Sequence, residues 1–229
     1  MLAGLAWLYL WRMPMPMPGQ AGVTSLPYAA FTFVMWLVMM VAMMTPAVTP
    51  VVLMFDQAQR HGTGGARAHT WAFVGGYLTV WAVFSLGVTA LQMLLVALQW
   101  VDAMTVSQRL PLSGALLVAV GVYQGLPAKI ACLAHCRNPV GFLTQRYRPG
   151  LAGSWWMGLE HGLYCVGCCW LLMLLLFVGG VMNLLWVAAL TVVISAERLL
   201  ERGDGLRRAL GVLLIMAGAG LVLRQFTGP

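Results

Sequence analysis

The stretch WWMGLEHGLYCVGCCWLLMLLLFVGGVM, residues 155–182, decides what kind of chain this is. Its 28 residues carry one charge, Glu160, and exceed the roughly 20 that a helix needs to cross a hydrocarbon core. If the segment is helical, His161, Cys165, Cys168 and Cys169 form one stripe, because residues three and four apart share a face. One segment earlier, Cys132, His135 and Cys136 repeat the spacing. All five cysteines thus fall in two compact clusters, and soft metal ligands are concentrated where the chain is otherwise mostly hydrocarbon.

The rest of the sequence has the same solvent preference. Hydrophobic residues make up 61% and charged residues 8%, which reads as an all-α polytopic transmembrane helix bundle, one integral membrane domain over residues 1–229. Apolar segments occur at 28–55, 71–100, 112–130, 155–182, 183–199 and 206–223, with a shorter one at 1–11, giving six to seven spans. The first stretch covers about 16 Å at 1.5 Å per residue, too little to span alone, so it reads as a truncated first helix. It also lacks the basic start of a secretory signal. Residues 12–27 are a Pro- and Met-rich connector, whose Met13-to-Pro18 run has polyproline character and reads as a stiff spacer or a loose Cu(I) collector.

Basic residues sort by side if the segments alternate across a bilayer. One side receives ten (Arg60, Arg67, Lys129, Arg137, Arg146, Arg148, Arg198, Arg202, Arg207, Arg208), the other three (Arg12, Arg109, Arg224). This positive-inside asymmetry makes the ten-residue side cytoplasmic and places the C-terminus outside. It also explains the net charge of +7 without a nucleic-acid partner. Trp71, Trp100, Trp155 and Trp156 at span ends fit interfacial belts.

That topology puts Cys132 and Cys136 at the cytoplasmic end of the fourth segment and Cys165 about 15 Å inside the fifth, counted from Trp155. Cytoplasmic thiols are normally kept reduced, so structural disulfides are set aside. Metal binding, transient redox chemistry and plain helix packing remain open. Glu160 at membrane depth costs about 2.5–3.5 kcal/mol even on the lenient insertion scale. A cation, a water-filled cavity, or a partner such as Lys129 or Arg137 would offset it.

A third soft set lies in the second segment. Met35, Met39 and Met43 follow one helical stripe and Met40 and Met44 a neighbouring one, although methionine is also ordinary core filler. Pro46 and Pro50 remove helical hydrogen bonds and kink this segment, which lets a methionine-lined span wrap an internal site. His61 and His69, in a Gly-rich loop with Arg60 and Arg67, read as solvated histidines.

Thiolate, thioether and imidazole together select Cu(I), zinc or iron–sulfur clusters over magnesium or calcium. The facing methionines tilt the choice to copper. Haem through His135 or His161 stays open, without a C-x-x-C-H attachment motif. Four histidines are too few for a membrane di-iron enzyme, and there is no phosphate-binding loop, nucleophile elbow or paired-carboxylate set.

Met35-Trp36, Ala42-Met43-Met44-Thr-Pro46, Lys129 followed by Cys132-x-x-His135-Cys136-Arg137-x-Pro139, His161-Gly162-x-x-Cys165-x-Gly167-Cys168-Cys169-Trp170-x-x-Met173 and Gly180-x-Met182-Asn183 resemble a family of bacterial predicted metal-binding integral membrane proteins. The resemblance covers residues 29–197, and the Cys-Cys-Trp element is its most specific part. Arg198 stands where that family leads us to expect lysine, with the charge kept. The resemblance implies metal binding in a bacterial inner (plasma) membrane.

The resulting expectation is a multi-pass protein that binds or transfers Cu(I) through Cys132, His135, Cys136, His161, Cys165, Cys168, Cys169, Met39 and Met43, supported by Glu160 and Lys129. A membrane oxidoreductase or electron-transfer subunit, with thiol pairing of Cys132 or Cys136 with Cys165 or Cys169, and a structural subunit of a membrane complex are the alternatives. Expected partners are the lipid bilayer, a soluble metal donor or acceptor, membrane-complex subunits and further copies of the chain.

Overall fold

The computed structural model describes residues 2–12, 26–60, 65–100, 110–181, 183–200 and 203–227. The Met13-to-Pro18 run, His61, Arg109, Met182 and Arg202 lie outside the described residues. Among those described the elements are helices: α1 (Leu2–Arg12), α2 (Leu26–Arg60), α3 (Ala66–Ala97), α4 (Leu110–Gly125), α5 (Pro127–Arg137), α6 (Pro139–Gln145), α7 (Gly150–Leu174), α8 (Leu176–Gly179), α9 (Leu184–Leu199) and α10 (Gly203–Thr227).

Four stretches are long and apolar enough to cross a membrane: Leu26–Arg60, Ala66–Ala97, Gly150–Gly179 and Gly203–Arg224. A fifth is added if α4 and α5 count as one broken span. The break answers the expectation of a continuous segment over 112–130. Leu126 is extended (φ −69°, ψ 141°), because the residue before a proline is pushed out of the α region and Pro127 has no amide proton to donate. The axis turns by 63°, so Cys132, His135 and Cys136 lie on a separate helix. At 16 and 11 residues α9 and α1 are shorter than those four stretches. Asn183 starts α9 by accepting from the Trp186 amide, and the helix ends one residue after Arg198.

Despite its prolines α2 runs unbroken over 35 residues. Thr45 and Thr49 donate to the carbonyls of Val41 and Thr45, a back-bonding pattern that bends helices. Side-chain bonds fix its direction against α3. Trp36 Nε1 donates to Gln92 Oε1 at 2.6 Å at one end, and the Thr70 hydroxyl donates to Asp56 at 2.9 Å at the other, so the two helices are antiparallel. Helices α3 and α7 run parallel, with His69 beside Ser154 (3.0 Å) and Tyr77 beside Cys165 (3.0 Å).

Glycine makes the α3–α7 contact. A Cβ on Gly158 would lie 2.0 Å from the Phe73 carbonyl oxygen, and one on Gly76 would lie 2.0 Å from that of Trp155. The backbones touch, the small-residue packing expected between helices in a bilayer. Gly158→Ala is therefore expected to cost up to about 3 kcal/mol through overpacking. Gly87→Ala, where the added methyl meets open space, should be neutral or stabilising. Thermal melts of the two variants in detergent check this, and equal melting temperatures would count against the close contact. Helices α4 and α10 pack the same way through Gly114, Gly121, Gly211 and Gly218.

The contacts gather the α2–α3 junction, α5, α6, the start of α7 and the end of α9 at one end of the bundle. The core is continuous from the α2 methionines through Tyr77 and Trp81 to Cys165, Cys168, Cys169 and Met173.

Candidate functional site

Because Gly158 and Gly162 admit α3 so closely, the buried face of α7 is confronted by Tyr77, whose hydroxyl lies 3.0 Å from Cys165 Sγ. The same α7 face carries His161, Cys165, Cys168 and Cys169, all buried. Helix α9 supplies the remaining wall. Arg198 Nη1 donates to Cys165 Sγ at 2.8 Å, and Nη2 reaches Cys168 Sγ at 2.9 Å, Cys169 Sγ at 3.3 Å and the Cys165 carbonyl at 2.9 Å. The Cys168 and Cys169 thiols in turn face the Cys165 carbonyl at 3.2 and 3.0 Å.

This arrangement has an electrostatic consequence. Arg198 is 6% exposed, and a guanidinium is always charged. Its hydrogen-bond acceptors are three sulfurs and one carbonyl, and its Nε has no partner. A buried charge persists only if compensated. Among the described residues the groups placed to compensate it are the sulfurs, and a thiolate is the form of cysteine that binds metals.

Helix α5 closes the cluster from the bundle end. Cys132 Sγ lies so near α7 that a Cβ on Gly167 would be 2.9 Å from it, and Cys136 follows one turn later on the same helix. Both are half-buried, unlike the three α7 cysteines. Cys132 of α5 thus comes up against the α7 segment that carries Cys168 and Cys169.

The histidines do not join the sulfurs through hydrogen bonds. His135 is exposed, stacked flat on Tyr164 (centroids 4.3 Å apart) and bonded through Nδ1 to the Ala131 carbonyl. His161 is buried between the rings of Phe73, Tyr77 and Phe142, with Nδ1 unpartnered. Glu160 pairs with Arg146 at 3.1 Å, not with Lys129 or Arg137. Lys129 is fully buried and ion-paired with Glu197 at 2.8 Å, and Gln124 bonds to both partners. Arg137 holds the Glu197 carbonyl at 2.6 and 2.8 Å and Asp204 at 2.8 Å. Met39 and Met43 are buried in the same continuous core as the cysteines.

Three residues of the site carried little or no sequence signal. Glu197 and Arg198 are adjacent charges closing an apolar segment, and intramembrane charge is itself a pointer to function. Tyr77 gave no signal. Consecutive residues of α9 thus do separate tasks: Glu197 fixes α5 through Lys129 and Arg137, and Arg198 faces the sulfurs.

Among the described residues no three His, Cys, Asp or Glu side chains form a ready-made metal cage. The space between the thiols is taken by a side-chain cation, which shows the polarity of the site. No curated protein and no solved structure matches the chain. Residues 33–221 match the sequence model of a copper chaperone family, PpoB2. With that match spanning most of its 229 residues, the chain belongs to this family of copper chaperones.

Proposed function

We propose that the chain is a multi-pass protein of the bacterial inner membrane that binds Cu(I) as cargo at Cys165, Cys168 and Cys169 and passes it through Cys136 and Cys132 to a soluble acceptor. One observation carries this reading: a buried arginine whose side-chain partners, among the described residues, are three sulfurs.

Cu(I) held by two of the three sulfurs as thiolates, the third staying a thiol, has a net charge of −1, which one guanidinium cancels. Zinc reaches the same −1 only with all three ionised, so the choice of copper rests on its preference for soft donors and on the family. Cu(I) is also satisfied by two soft donors, so it has no need of a cage of three or more. An iron–sulfur cluster needs far more room than one Cu(I) ion among sulfurs this close to a guanidinium.

In this reading α1 and α9 complete a bundle of six to seven spans over residues 1–229, and the basic end faces the cytoplasm. Half-buried Cys132 and Cys136 are the sulfurs a soluble partner reaches first. His135, on the exposed side of the same helix, and His161, one turn from Cys165, serve as flanking donors, and Met39 and Met43 as thioethers on the α2 side. Lys129, through Glu197, and Glu160, through Arg146, hold the supporting frame.

Copper analysis of the purified protein tests the proposal. Wild type should carry near-stoichiometric copper, and Cys165→Ala/Cys169→Ala should lose nearly all of it. Equal, sub-stoichiometric copper in both would sink the reading. One second reading, a thiol-based electron-transfer subunit, draws on half-buried Cys132 and Cys136 beside the buried α7 cysteines. A redox titration of the metal-free protein separates the two, because only the thiol-based subunit is expected to show a reversible thiol–disulfide couple.

A further inference from the structure

The structure holds a second soft environment. Between α2 and α3 lies a cavity of about 170 Å³ lined by Met40, Met44, Thr45, Val48, Tyr77 and Trp81, among others. Met39 and Met43, the methionines singled out by spacing, are buried but do not line it. The thioethers at the cavity come from the neighbouring stripe.

Two features distinguish this cavity from a gap filled by lipid. Tyr77 belongs to both sites, lining the cavity while its hydroxyl lies 3.0 Å from Cys165 Sγ. Trp81 is 1% exposed, and its Nε1 is buried without a hydrogen-bond partner. One turn further along α3, the Ser85 hydroxyl is also buried and unpartnered. The indole N–H can only donate, so a cation in this cavity engages the Trp81 ring face and not the orphaned Nε1.

We infer that this cavity is a second Cu(I) site, formed by the Met40 and Met44 thioethers with the Trp81 indole, from which the ion reaches Cys165 past Tyr77. Thioethers are soft ligands suited to Cu(I), and an indole face attracts a desolvated cation. Both donor types are uncharged, so the ion keeps its full positive charge and binds less tightly than among thiolates beside Arg198. That gradient directs it toward Cys165. The transfer exchanges thioether–copper bonds for a thiolate–copper bond, and copper stays Cu(I), so no oxidant or reductant is involved. The inference rests on the thiolate cluster being the tight copper site.

The test is anaerobic Cu(I) titration of the full-length protein in detergent, followed by tryptophan emission and by sulfur scattering in copper X-ray absorption. Wild type should show a tight and a weaker binding event. Cys165→Ala/Cys168→Ala/Cys169→Ala should keep only the weaker one, with emission quenching that Trp81→Phe abolishes. Met40→Leu/Met44→Leu should lose only the weaker event, whereas Met39→Leu/Met43→Leu should retain both. A weaker event absent from wild type, or untouched by Met40→Leu/Met44→Leu, overturns the inference and leaves the cysteine site standing. Loss of the tight event from wild type alone, with the methionine event intact, overturns the cysteine reading instead.

Discussion

Arg198→Leu is expected to empty the protein of copper while leaving every cysteine in place. The guanidinium makes three sulfur contacts between 2.8 and 3.3 Å, and no carboxylate among the described residues pairs with it. Without it the thiols have no reason to ionise in a dry interior, and protonated thiols are poor ligands. A Cu(I) bis-thiolate would then be an uncompensated buried anion. The variant should nevertheless fold, because a leucine among neutral thiols leaves no buried charge, and such exchanges are often neutral or stabilising. The expected pattern is therefore a retained melting temperature with copper at background. Arg198→Lys keeps the charge but replaces the planar fork with a point charge. It should retain copper with affinity lowered on the order of tenfold, as for other residues that support a ligand shell. Copper content by elemental analysis, beside a thermal melt, distinguishes these outcomes. Wild-type copper in Arg198→Leu would remove the electrostatic basis of the proposed site.

The same arginine marks the limit of what the sequence made legible. Periodicity identified the α7 stripe, because a 3.6-residue repeat places Cys165, Cys168 and Cys169 on one face whatever packs there. Pro127 is equally visible, but a proline alone does not tell a kink from a break, so the sequence places Cys132 and Cys136 at a span's end, whereas the 63° turn puts them on a helix of their own. What escaped was long-range pairing. Nothing local indicates that Glu160 turns to Arg146 while Lys129 reaches Glu197, 68 residues away. Ion pairs in an interior are set by helix register and proximity, which one sequence does not encode visibly. Tyr77 is a stronger case, since an aromatic in an apolar span has many uses and only the glycine-mediated approach of α7 selects this one.

Lys129→Met should be among the most destabilising single changes in the chain, because it breaks an ion pair that solvent does not reach. Lys129 and Glu197 side chains are 0% and 3% exposed at a separation of 2.8 Å. Removing one partner strands the other as a buried charge, at a cost of about 3–5 kcal/mol. Gln124, which bonds to both, can supply a dipole to Glu197 but no charge. Lys129→Met/Glu197→Gln should recover most of the loss, since the second change removes the stranded charge and keeps a hydrogen-bonding group beside Gln124. The pair also fastens α5 to α9, and with it the register of Cys132 on Gly167. Chemical unfolding in detergent reads the stability, and maleimide labelling of Cys132 and Cys136 reads the register. Labelling should accelerate in Lys129→Met and return toward wild type in the double variant. If the single variant is as stable as wild type and labels no faster, the pair does not hold α5, and the half-buried cysteines owe their position to the Arg137 contacts with the Glu197 carbonyl and Asp204 instead.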